Sequence, residues 1–229
     1  AGLLVATVMT LFIRTRTERG QRQPTTLSTL FAGLRYVYNK KIIFGAITLD
    51  LFVVLLGGVT ALFPVFAKDI LETGAAGAGF LRSAMAGGAL LSGIMLTQMA
   101  LERSVGKILF ATVLIFGVTT IIFGLSNLFW LSLLSMAILG AADMISVNIR
   151  VTLLQIATPD EMRGRVSAVS SVFTGASNEI GEFRAGIMAA FIGAVPAVLI
   201  GGIGSIVVAA ICWKAFPQLA KVERFDQEL

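Results

Sequence analysis

Six long apolar runs separated by short polar loops set the pattern of this chain, at residues 42–65, 77–100, 108–125, 128–149, 166–194 and 197–216. At ~1.5 Å per helical residue each can cross ~30 Å of hydrocarbon, and a helix is the form in which a single segment satisfies its own backbone there. The pattern predicts six membrane-spanning helices. Ahead of them, Leu27, Leu30, Phe31, Leu34, Val37 and Tyr38 recur at helical spacing, with Thr29, Arg35, Tyr36 and Asn39 around the rest of the circle. This is a short amphipathic helix, expected along the cytoplasmic membrane surface. Residues 1–13 are apolar but reach only ~20 Å as a helix. With no initiator Met and no signal-peptide cleavage site, they read as the end of a truncated membrane helix. The expected organisation is that stub at 1–13, a cytoplasmic linker with the surface helix at 14–41, a six-helix transmembrane domain at 42–216 and a cytoplasmic tail at 217–229.

Charge orients the bundle. Fifteen of the 18 Lys and Arg residues precede the first run or follow the second, fourth and sixth, whereas the opposite loops hold only Lys68. The positive-inside rule makes the basic side cytoplasmic, with both ends of the six-helix unit on it. At 56% hydrophobic and 14% charged, the chain is too apolar for an ordinary soluble domain, so its formal charge of +5 is not a nucleic-acid footprint. There is no His, and Cys212 stands alone, so no Cys/His metal cluster and no cofactor site is expected. The Gly77-x-Gly79 pair opens an apolar run with no strand before it, so it is no phosphate loop. Nothing in the chain suggests an enzyme.

The charges inside the runs carry the functional signal. Asp50 lies about eight residues into the first run, Asp143 lies seven residues before Arg150 in the fourth, and Glu179, Glu182 and Arg184 sit midway along the fifth. Each costs several kcal/mol in lipid unless it is paired, neutralised or wetted, so such residues usually face a cavity. Ser167, Ser171, Thr174, Asn178 and Glu182 repeat at spacings of three and four, which makes one polar stripe along the fifth run. The fourth has a weaker counterpart in Ser132, Ser135, Asp143, Ser146 and Arg150. Such stripes line a substrate or proton path, or else act as hydrogen-bonding glue between helices. Glycine, alanine and serine are frequent in the runs, as close helix packing in lipid requires.

Two cytoplasmic loops add motifs. Glu102-Arg103-Ser104-Val105-Gly106-Lys107 is a tight charged turn after the second run, and Thr158-Pro159-Asp160-Glu161-Met162-Arg163-Gly164-Arg165 follows the fourth. The first resembles the degenerate second copy of the G-x-x-x-D-R-x-G-R-R loop of the major facilitator superfamily. Further segments, Gly33-Leu34-Arg35-Tyr36-Val37, Leu49-Asp50-Leu51-Phe52, the run from Gly57 to Ala67, the Pro159 loop, and Ser177-Asn178-Glu179-Ile180-Gly181-Glu182-Phe183, are similar to the branch containing enterobactin exporters and macrolide efflux proteins. Two positions depart from that pattern: Ile108 follows Lys107, and Arg184 stands where the resemblance implies an acid.

The resemblance implies an all-α membrane protein, the C-terminal six-helix half of a twelve-helix major facilitator fold, working by rocking two halves around a midplane site. It implies proton-driven export of a small amphipathic molecule, such as a drug or siderophore, across a bacterial inner membrane. The implied partners are that small molecule, protons, lipid and a missing N-terminal six-helix half. Asp50, Asp143, Asn178, Glu179 and Glu182 are the candidates for substrate or proton binding, with Arg184 as their charge partner. Glu102, Arg103, Gly106, Lys107, Asp160, Arg163 and Arg165 are the candidates for a cytoplasmic gate. The rivals are a six-helix permease subunit driven by a separate ATPase, and a membrane scaffold without transport.

Overall fold

The computed structural model describes residues 27–98 and 103–225. The stub at 1–13, the linker at 14–26, the end of the tail and Glu102 lie outside the described residues. All regular structure among the described residues is helical: α1 (Leu27–Asn39), α2 (Lys41–Gly57), α3 (Gly74–Gln98), α4 (Val105–Leu125), α5 (Phe129–Ile156), α6 (Asp160–Ile192), α7 (Ala194–Ala215) and the single turn α8 (Pro217–Ala220).

Among the described residues, five stretches are long and apolar enough to cross a membrane: Lys41–Ile70, Gly74–Gln98, Val105–Leu125, Phe129–Ile156 and Ala194–Ala215. The remaining expected span, the fifth, is α6, which at 33 residues is longer than the apolar run suggested but too polar to join them. Its ends follow from local chemistry. Pro159 precedes it, Asp160 and Glu161 occupy the positive first turn, and Gly193 stops it at φ 94°, a conformation side chains oppose.

The first span is not one continuous helix. α2 ends at Gly57, Gly58 leaves helical geometry, and the chain resumes as a 3₁₀ turn (Thr60–Leu62), one α turn (Phe63–Val65) and a π turn (Phe66–Ile70). Phe63 and Phe66, both fully buried, anchor this irregular stretch on Phe123 of α4, with ring centroids 5.8 and 4.5 Å away.

Neighbouring helices follow the order α3, α5, α4, α7, α2, α6, and α1 rests on α6. The two ends of that series are the least covered. Only 17% of the apolar window of α3 is buried, against 56% for α4, and on α6 the buried residues are Val166, Val169, Ser177, Gly181 and Ala185. Small residues set the closest approaches. A Cβ at Gly88 would overlap the Ala137 carbonyl oxygen, and one at Gly140 would overlap that of Met85, so the backbones of α3 and α5 touch. Between α4 and α7, Gly117 and Gly202 face each other in the same way.

The loops before α4 and after α5 are tied down by hydrogen bonds to backbone carbonyls. Val105 and Gly106 donate to the carbonyls of Glu223 and Val222 at 3.4 and 2.9 Å, and a Cβ at Gly106 would overlap the Leu219 carbonyl. The tail thus satisfies the open N-terminus of α4. The Tyr36 hydroxyl of α1 donates to the Ala157 carbonyl at 2.8 Å, and burial pushes its phenol further above the ordinary value, which keeps it a donor.

Candidate functional site

Asp50 lies about 14 Å along α2 from Lys41, where an isolated carboxylate would be costly. Its Oδ1 pairs with Arg150 Nη1 at 2.7 Å, and its Oδ2 accepts a hydrogen bond from Thr174 Oγ1 at 3.0 Å. Three helices, α2, α5 and α6, meet in this one cluster. Asp50 is 7% exposed and Arg150 8%, so the pair is shielded from solvent and its attraction is little screened. Asp143, two turns before Arg150 on nearly the same face of α5, is close enough to interact with both Arg150 and Asp50. Of these two acids, Asp50 is the one that forms the ion pair with Arg150.

A cavity of about 410 Å³ opens beside the pair. Its lining mixes polar groups, from Asp50, Arg150, Ser170, Ser171, Thr174 and Asn178, with apolar ones, from Ala46, Ile47, Val147, Val151 and Leu154. Such a cavity suits a molecule that carries both polar and apolar groups. The two sequence stripes divide here. Ser132, Ser135, Ser146 and Arg150 of α5 are buried, whereas Ser167, Ser171, Asn178 and Glu182 of α6 are exposed.

Higher on α6, Glu182 Oε1 accepts a hydrogen bond of 2.6 Å from Thr60 Oγ1, in the turn that follows the break of α2. Glu179 is exposed. Arg184, expected beside these acids, is placed elsewhere: its Nε donates to the Leu55 carbonyl at 2.9 Å, its Nη2 to the Leu56 carbonyl, and its Nη1 to Met188 Sδ at 2.7 Å. Among the described residues it pairs with no carboxylate. The reason lies in the break: the last carbonyls of α2 have no helical donors, and a cation at a helix C-terminus suits them.

The expected gate residues occupy two separate settings. Asp160 and Arg163 form an exposed ion pair of 2.7 Å within the first turn of α6, and Arg165 Nη1 reaches Met162 Sδ at 3.4 Å. Arg103 and Lys107 are exposed on the other loop, and among the described residues neither pairs with Asp160. Gly106 is held under the tail.

Sequence reasoning placed Arg150 in the weaker polar stripe and at the cytoplasmic edge of the fourth run, but not among the candidate site residues. Its signal was the seven-residue spacing from Asp143, which sets both on one helical face. Thr60 gave no signal. The break of α2 was announced by the Gly57-Gly58 pair ahead of Pro64.

The enterobactin exporter EntS of Escherichia coli O81 (strain ED1a) is 24% identical to this chain over 201 residues, which is 88% of this chain and 47% of that protein. The exporters of the same name from Escherichia coli O157:H7 (strain EC4115 / EHEC) and Shigella boydii serotype 18 (strain CDC 3083-94 / BS512) match with the same identity and coverage. The chain spans about half the length of the curated relatives it matches. Residues 2–228 match the transmembrane secretion effector family throughout, so the chain belongs to that family of major facilitator transporters.

Proposed function

We propose that this chain forms the C-terminal six-helix half of a secondary transporter that exports a small amphipathic molecule from the bacterial cytoplasm in exchange for protons. The observation that carries the reading is the exposed polar stripe of α6. Ser167, Ser171, Asn178, Glu179 and Glu182 face outward from the bundle, and lipid would leave them unsatisfied. A second set of helices enclosing a wet path covers them, and the length of the relatives leaves room for it. The cavity beside Asp50 and Arg150, lined by both polar and apolar groups, fits an amphipathic cargo, and the relatives are enterobactin exporters. Family membership speaks against the ATP-driven permease subunit.

Glu182 is the proposed coupling acid. It ends the stripe, it is exposed to the path, and Thr60 contacts it from the irregular part of the first span. A carboxylate there takes a proton from one side and releases it to the other. In the full-length protein in proteoliposomes, Glu182→Gln should keep substrate binding and substrate-for-substrate exchange while uphill efflux under an imposed pH gradient drops at least tenfold. Uphill efflux at the wild-type rate rejects Glu182.

The proposed orientation, basic loops inward, has its own test. Ser126 is only 4% exposed and hydrogen-bonded to Ser132, so the neighbouring Asn127 is the accessible position in that turn. In intact cells an impermeant maleimide should label Asn127→Cys and leave Asp160→Cys untouched, with buried Cys212 giving little background. Labelling of Asp160→Cys alone reverses the topology.

A further inference from the structure

Gly57 lies about 24 Å along α2 from Lys41, still at bilayer depth, and there the helix stops. Non-helical backbone at that depth survives only where protein or a wet cavity supplies the missing partners. Here α6 and α7 supply them. Gly181 of α6 comes so close that a Cβ on it would stand 2.7 Å from the Val54 carbonyl oxygen, and a Cβ on Gly201 of α7 would stand 2.6 Å from that of Leu56. Into this gap the half-buried Arg184 sends its fork, Nε to the Leu55 carbonyl and Nη2 to the Leu56 carbonyl. The guanidinium thus satisfies two orphan carbonyls at the negative end of α2, a task its planar geometry suits better than an ammonium.

The turn released by the break carries Thr60, whose hydroxyl reaches Glu182, two residues before Arg184 on α6. We infer that Arg184 is a positioning residue for coupling: by holding the broken end of α2 against α6, it keeps Thr60 on Glu182. The inference rests on the coupling role proposed for Glu182. It also gives a physical reason for a base at a position where the family resemblance implies an acid, because an acid would repel the carbonyls of Leu55 and Leu56.

Three variants of the full-length protein separate the parts of the claim. Arg184→Met keeps the apolar stem and removes every donor; Arg184→Lys keeps a charged donor without the fork; Thr60→Val removes the hydroxyl and leaves Arg184 in place. The amides of Leu62 and Phe63 donate to the carbonyls of Val59 and Thr60 and report on the turn. Their hydrogen exchange in nanodiscs should quicken about tenfold in Arg184→Met, the effect of losing a charge-assisted hydrogen bond. The rise should be smaller in Arg184→Lys and absent in Thr60→Val. Uphill efflux in proteoliposomes should fall in both Arg184→Met and Thr60→Val, and no further in the double variant, since both act on one contact. Unchanged exchange in Arg184→Met overturns the inference, as does wild-type efflux despite rapid exchange, or losses that multiply in the double variant. If Arg184→Met does not insert, Arg184→Lys gives the same readings at smaller amplitude. Failure of the Glu182 role looks different: Glu182→Gln then retains uphill efflux while Arg184→Met still loosens the turn.

Discussion

Arg150→Ala should destabilise the membrane-inserted protein by about 3–5 kcal/mol, the usual result of removing one member of a buried ion pair. The magnitude comes less from the attraction lost than from what is left behind. Asp50, 7% exposed in the intact protein, would keep the Thr174 hydroxyl as its remaining polar contact, and Asp143 would lose its nearby base. The cluster would hold two acids and no cation. Asp50→Asn in the same chain should recover most of the loss, because it removes the stranded charge and keeps an acceptor for Thr174. The measurement is the unfolding midpoint of the full-length protein in detergent for both single variants and the double. Additive losses would mean that Asp50 and Arg150 do not act as a pair. Efflux separates a second property: a double variant that regains stability without regaining transport assigns the charges themselves to function.

Most of the fold was legible because lipid leaves so few choices. Apolar runs at 77–100, 108–125, 128–149 and 197–216 became α3, α4, α5 and α7 with ends shifted by up to about three residues, except that α5 continues to Ile156, since a spanning helix must keep its backbone bonds within itself. The fifth run was legible as a helix, yet its start was not. Helical geometry begins at Asp160, because Pro159 and two acids favour initiation well before the apolar residues do. The first span was legible as apolar; its break had a signal in Gly57-Gly58 ahead of Pro64, but the partners that its freed carbonyls find on α6 were not legible.

Site residues were legible in kind more than in partnership. A carboxylate at Asp50 in an apolar run announces that a partner exists, and the choice between Arg150, Arg184 and a distant half rests on helix adjacency. The order in which helices neighbour one another is a tertiary fact. It brought Arg150 to Asp50 and Thr60 to Glu182, and it turned Arg184 toward backbone. The pairing within the proposed gate loops was hidden for a related reason. Asp160 and Arg163 are three residues apart on one helix, so their charges satisfy each other locally.

Gly88→Ala and Gly87→Ala should act with opposite signs although the residues are adjacent on α3. In an isolated helix either change is favourable by about 1 kcal/mol, since alanine loses less backbone entropy than glycine. At Gly87 nothing lies within 4 Å of the added methyl, so that gain should stand, at up to about 1 kcal/mol. At Gly88 the methyl would overlap the Ala137 carbonyl oxygen, and backbone has no rotamer by which to yield. α3 must then move off α5, losing dispersion contacts along a seam that small residues keep close, at a cost of about 1–3 kcal/mol or more. Gly140→Ala meets the Met85 carbonyl from the other side of the same seam and should cost as much. Because one separation relieves both overlaps, the Gly88→Ala, Gly140→Ala double variant should lose clearly less than the sum of its parts. Unfolding midpoints of the four proteins in detergent decide the matter. A stability loss at Gly87 equal to that at Gly88 would place the sensitivity in α3 itself rather than in its contact with α5.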